Sequence, residues 1–102
     1  MPNNYDAIER LIFEDNLRIE AVDFHPELDV MIIILNTKAI LRQNISTYKS
    51  LKKAKNSALL NYKLIAGGTG IHWPDLDVDL SLKGFLRDTL KNAVNPKETK
   101  AA

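Results

Sequence analysis

The chain contains no cysteine, which excludes disulfides, thiolate metal sites and cysteine nucleophiles. It also lacks a long apolar run. The longest, Val30 to Leu35, is six residues, whereas a membrane-spanning helix needs about 20 apolar residues and a signal-peptide core about 7–15. The N-terminal Met1-Pro2-Asn3-Asn4 has no basic lead into such a core, so a cytoplasmic location is expected. That agrees with the missing cysteines, which fit a reducing compartment. Aromatics make up only 7% of residues, with one tryptophan, and there are two histidines, not at His-x-x-x-His spacing. Glycine is scarce as well: three of the four glycines stand at 67, 68 and 70. A rare residue so concentrated marks a connection that other residues cannot make.

What is present is an ordinary globular composition, 45% hydrophobic and 26% charged over 102 residues, the size of one domain. The net charge of +1 hides a segregation. Residues 1–36 hold two arginines against eight carboxylates, while residues 37–66 hold Lys38, Arg42, Lys49, Lys52, Lys53, Lys55 and Lys63 with no acid at all. Such asymmetry points to partners.

Taken in order, Tyr5, Ile8, Leu11 and Ile12 fall at helical spacing, with Asn3 or Asn4 as the expected cap. Residues 1–16 form an N-terminal helical segment, 17–94 a single α+β domain, and 95–102 a flexible tail. Leu17 to Phe24 reads as a strand whose phase slips, since Leu17, Ile19 and Ala21 alternate but Val22 and Phe24 fall on the other face. A bulge or two-sided burial would explain this. His25-Pro26-Glu27-Leu28-Asp29 is a turn, so Val30–Leu35 returns antiparallel. Its unbroken apolar run implies a central strand buried on both faces. Ala39–Ile45 reads as an edge strand. Ser46 or Thr47 caps a helix reaching about Ala54, Asn56-Ser57 breaks it, and Tyr62–Ala66 and Ile71–Trp73 are two further strands. A final helix begins at Ser81, with Leu82, Phe85, Leu86 and Leu90 on one stripe and Asn95-Pro96 as its stop.

The stretch Gly67–Ser81 invites chemical readings that fail at named positions. A dinucleotide-binding fingerprint needs a third glycine and a following helix; a tight turn is the simpler reading. Asp75, Asp77 and Asp79 match the first three ligands of a calcium loop, but Leu80 stands where glycine belongs and Leu86 where glutamate belongs. An extended segment with its leucines inward explains the same spacing, and Asp79 or Ser81 can cap the last helix. His72 and His25 are more simply hydrogen-bonding or surface residues than ligands, and Trp73 more simply a core anchor than a ligand platform. No nucleophile elbow is present. Gly67, Gly70, Trp73, Pro74, Asp77, Asp79 and Ser81 are therefore assigned structural roles, and no catalytic, cofactor-binding or metal-ligating residue is assigned. Lys49, Lys52, Lys53 and Lys55, with Arg42, are the candidate partner-binding residues. A lysine-rich segment is often only a solvated face, and these lysines also suit the negative end of a helix. They could equally meet the chain's acidic third, within one chain or between two.

Leu60 to Leu86, containing Gly70-Ile71-His72-Trp73-Pro74-Asp75-Leu76-Asp77-Val78-Asp79-Leu80-Ser81, resembles the C-terminal signature of a family of small bacterial proteins, domain of unknown function 2442. The resemblance extends over about residues 17–90, with Val78 and Phe85 departing from the family's usual glutamate and leucine. It implies an α+β domain and a link to toxin–antitoxin gene pairs. Some members carry an added helix-turn-helix domain, for which the stretch after Ser81 is too short. The expected architecture is a two-layer α+β domain, with a mostly antiparallel sheet of four or five strands and helices on one face. The expected function is a non-enzymatic protein-interaction module, antitoxin-like, with a toxin-like protein or a second copy as partner. The alternative is a nucleic-acid-binding regulator using Lys49–Lys55, and a weaker one is a metal protein or enzyme using His72 with Asp75, Asp77 and Asp79.

Overall fold

The computed structural model describes residues 4–94. Helix α1 (Ala7–Phe13) opens on a capping box. Asp6 accepts from the Glu9 N–H at 2.8 Å while Glu9 accepts from the Asp6 N–H at 3.0 Å, so two backbone donors that a helix start leaves orphaned are satisfied at once. The cap is thus Asp6 rather than Asn4, and Asn3 lies outside the described residues. Of the apolar stripe, Ile12 enters the core whereas Leu11 stays 43% exposed.

Strands β1 (Ile19–His25), β2 (Val30–Leu35) and β3 (Ile40–Asn44) form one antiparallel sheet in that order. Val30–Leu35 is indeed the middle strand. The register shifts between Ile19 and Ala21, and this irregularity lets Ile19, Val22 and Phe24 all face the core. The phase slip in the sequence is that shift. The two faces of β2 are not equivalent, however. Met31, Ile33 and Leu35 are buried, while Val30, Ile32 and Ile34 on the outer face are only half-buried, so burial on both faces is corrected to one.

Beyond β3 the expected helix from Ser46 to Ala54 is replaced by a 3-10 turn (Ile45–Thr47), α2 (Lys49–Lys52) and α3 (Asn56–Leu60). Ser46 caps nothing, because Asp29 holds both its N–H (2.8 Å) and its hydroxyl (2.5 Å). Tyr48 is extended, which interrupts the helical path. The expected break at Asn56-Ser57 instead opens a helix, whose Ala58 and Leu59 are buried.

Strands β4 (Lys63–Ile65), β5 (Gly70–Trp73) and β6 (Val78–Ser81) make a second three-stranded antiparallel sheet. The expected single sheet of four or five strands is therefore corrected to two sheets of three. The reason lies at the open edge of β1. There the Tyr62 hydroxyl accepts from the Val22 N–H at 3.3 Å and lies 3.2 Å from the Val22 carbonyl. A side chain thus occupies the edge positions that β4 would need for pairing. The two sheets still share one core, with the Phe24 ring edge-on to both Tyr62 (5.6 Å) and Trp73 (6.2 Å).

Helix α4 (Leu82–Val94) starts where the Ser81 hydroxyl accepts the Gly84 N–H at 3.0 Å. Leu82 and Phe85 are buried, and Leu90 from the same stripe is 55% exposed. The expected stop at Asn95-Pro96 and the tail lie outside the described residues. The Lys83 ammonium reaches Glu9 at 2.9 Å and Asp6 at 3.5 Å, tying α4 to the start of α1.

Candidate functional site

The lysine segment is held firmly from beneath. Asp29, in the left-handed region at φ 58°, receives the Ile45 N–H (3.1 Å) and the Asn44 amide (3.1 Å) on its carbonyl. Its carboxylate clamps Ser46 as described above. Leu51 is fully buried. Tyr48 donates to Asp88 at 2.7 Å, with its ring edge-on to Phe85. Further along, the Trp73 indole N–H donates to the Leu59 carbonyl at 3.1 Å. These anchors leave Lys49, Lys52, Lys53 and Lys55 exposed, and among the described residues none lies within ion-pair distance of a carboxylate. Among the described residues, the one ion pair between the basic and acidic thirds joins Lys38 to Glu20 (2.6 Å).

Arg42 lies apart from this segment. It stands on β3 opposite Ile32, on the outer face of the first sheet, whereas Tyr48 ties α2 to α4 on the inner side. Its neighbour Gln43 is the residue that sequence reasoning missed. It is buried at 3% exposure and donates to Thr89 at 2.8 Å and to the Phe85 carbonyl at 3.4 Å. Strict alternation across Leu41, Arg42 and Gln43 was the available signal.

The aspartate row does not converge. Asp75 accepts from the Asn61 amide at 3.1 Å. Asp77 occupies a left-handed turn position at φ 53°, and Asp79 bonds the His72 Nδ1 at 2.5 Å across the β5–β6 pair. Among the described residues no three His, Cys, Asp or Glu side chains group so as to hold a metal ion. A cleft of about 270 Å³ opens beside them, lined in part by Tyr48, Asp79, Ser81, Phe85 and Asp88. Its polar groups are engaged by one another or by the adjacent wall: Tyr48 with Asp88, Asp79 with His72, and Ser81 with the Gly84 N–H. Burial, and then the Asp88 carboxylate, push the Tyr48 hydroxyl well above its ordinary value. It therefore remains a neutral donor at physiological pH and offers no phenolate.

The glycine turn is structural for reasons that differ along it. Gly67 has φ 67° with open space where a Cβ would go, whereas Gly68 has φ 97° and its Cβ would meet the Ile19 carbonyl at 2.9 Å. Gly68, unassigned by the sequence, is thus the most constrained of the three. Trp73, by contrast, is fully buried, as an anchor should be.

This geometry belongs to a family defined by sequence. The model of a protein family of unknown function, DUF2442, matches residues 19–89, and the chain belongs to that family. Two solved structures are similar. One is a crystal structure of a protein of unknown function from Rhodospirillum rubrum ATCC 11170, at 25% identity and TM-score 0.64, covering 71% of this chain and 87% of that one. The other is a solution NMR structure of an uncharacterised protein from Chromobacterium violaceum, at 21% identity and TM-score 0.66, covering 94% of each chain. No curated protein matches. Among the described residues, no helix is long and apolar enough to cross a membrane.

Proposed function

We propose that the chain is a non-enzymatic interaction module that contacts an acidic protein surface through Lys49, Lys52, Lys53 and Lys55. The observation that carries this reading is the state of those lysines. They are exposed on a segment fixed by buried anchors and, among the described residues, have no carboxylate within 4.0 Å. The backbone beneath these cations is already anchored, so the ordering cost of meeting a complementary surface falls on the lysine side chains alone. The family resemblance supports a finer role, the antitoxin-like member of a bacterial toxin–antitoxin pair working in the cytoplasm. Nucleic acid fits less well, because α2 has four residues and α3 five. Neither is long enough to lie along a major groove and present several base-reading side chains.

The test is affinity purification of the tagged chain from its own cells, alongside a Lys49→Glu, Lys52→Glu, Lys53→Glu, Lys55→Glu variant. A single protein partner that is retained by the parent and lost by the variant is the expected result. Recovery of nucleic acid instead, with binding that weakens steeply between about 50 and about 200 mM salt, would establish the regulator. A partner retained by both forms would overturn the lysine assignment.

A further inference from the structure

The first sheet turns its apolar middle strand outward as well as inward. Register places three rows across the outer face: Ala21, Ile34 and Ile40; Asp23, Ile32 and Arg42; His25, Val30 and Asn44. A solvated sheet face ordinarily alternates to polar residues, yet β2 presents Val30, Ile32 and Ile34 there, and Ile40 beside them is 62% exposed. None of these four belongs to the core or to the residues packed against it. The inner side is the one on which α4 sits, through Gln43, Phe85 and Thr89.

The charges on this face are arranged in opposition. Asp23 on β1 and Arg42 on β3 flank Ile32 from either side, their backbones two strand spacings or roughly 10 Å apart, and the two side chains do not pair with each other. The Asp23 Oδ2 accepts from the His25 Nε2 at 2.9 Å, and among the described residues Arg42 has no carboxylate within ion-pair distance.

We infer that this face binds a second copy of the chain, sheet against sheet, about a two-fold axis parallel to β2. A half-turn about that axis lays β2 over β2 and β1 over the other copy's β3. Ile32 then meets Ile32, and each Asp23 faces the Arg42 of the partner subunit, twice over. The other two-fold in the plane, running across the strands, stacks Asp23 on Asp23 and Arg42 on Arg42, which like-charge repulsion disfavours. The charge pattern therefore selects one occupant and one geometry, an isologous aligned packing. The face is small, roughly 15 by 18 Å from three strand widths and five or six residues of rise. It falls well short of the ~800 Å² per partner of a standard interface, so the association is weak and concentration-dependent.

Sedimentation equilibrium over roughly 1–500 µM brackets such an affinity. The expected result is a rise from the 11.5 kDa monomer toward twice that mass. Ile32→Lys should hold the chain monomeric throughout. Because that variant can fail by misfolding, the charge exchange is the sharper arm. Asp23→Arg and Arg42→Asp should each raise the dissociation constant roughly three- to tenfold, and the two together should restore it. Charge reversal at Lys49, Lys52, Lys53 and Lys55 should leave it unchanged, which separates this inference from the proposed function. A chain that stays monomeric at the highest concentration would overturn the inference. So would a dimer indifferent both to Ile32→Lys and to the charge exchange.

Discussion

The lysine segment and the glycine–aspartate stretch are the two regions whose polar residues invite a functional reading, and they use those groups in opposite ways. From Gly67 to Ser81, Asp75 is taken by Asn61, Asp79 by His72 and the Ser81 hydroxyl by the Gly84 N–H, while Asp77 shapes a turn. From Lys49 to Lys55 the anchoring is apolar or comes from Tyr48, and the ammonium groups face outward with no described acid beside them. Polar groups matched within the chain specify its conformation; those left unmatched on a fixed support are free for something else. An eye-catching motif can thus be scaffold, while the proposed contact surface lies on a plain lysine run.

Substitutions sharpen this contrast, beginning with the largest effect. Trp73→Ala should cost about 3–5 kcal/mol, because it empties a fully buried site and orphans the Leu59 carbonyl; urea denaturation measures it. Gly68→Ala should cost about 2–3 kcal/mol, from left-handed backbone strain plus the clash with the Ile19 carbonyl. Gly67→Ala, strained but unobstructed, should cost about 1 kcal/mol. Equal costs at the two glycines would contradict the close approach.

Smaller effects come from paired charges and appear as pH dependence. Hydrogen bonds from each other's backbone N–H, with Lys83 nearby, hold Asp6 and Glu9 below their ordinary values of 3.8 and 4.5. Their contribution is therefore present above those values and lost as pH falls through the lowered ones. His25 has the opposite sign. Asp23 raises it above 6.5, so its contribution is complete below that pH and lost as pH rises through the raised value. The melting temperature of the parent relative to His25→Gln should narrow on the alkaline side and relative to Lys83→Met on the acid side. Smallest of all, reversing Lys49, Lys52, Lys53 and Lys55 should change stability by less than ~0.5 kcal/mol per site, as surface positions do.

Much of the fold was legible because it is written locally. The Val30–Leu35 run gave the middle strand, and the phase slip after Ala21 gave the register shift. The Gly67–Ser81 stretch gave the family and its glycine turn, but the extended segment expected over Asp75–Asp79 begins as a second turn, with Asp77 left-handed, followed by strand β6. What escaped depends on partners far away in sequence. Tyr62 stands 40 residues from Val22, whose edge it occupies, so one sheet could not be told from two. Gln43 looked like part of a polar run because its partners, Phe85 and Thr89, lie on the last helix. Gly68 looked like either neighbouring glycine until Ile19 was seen against it. Arg42 was grouped with the lysines by proximity in sequence, whereas strand alternation turns it to the other side of the sheet. The helix at Asn56 was obscured because both of its first residues favour turns, and burial of Ala58 and Leu59 outweighs that preference.

The central claim, that binding resides in the lysines and not in the aspartates, is tested most directly by comparing two variants for partner retention from native cells. One carries Lys49, Lys52, Lys53 and Lys55 changed to Glu, the other Asp75, Asp77 and Asp79 changed to Asn. Loss of the partner from the lysine variant with retention by the aspartate variant is the predicted result. Retention by the lysine variant with loss from a folded aspartate variant would contradict it.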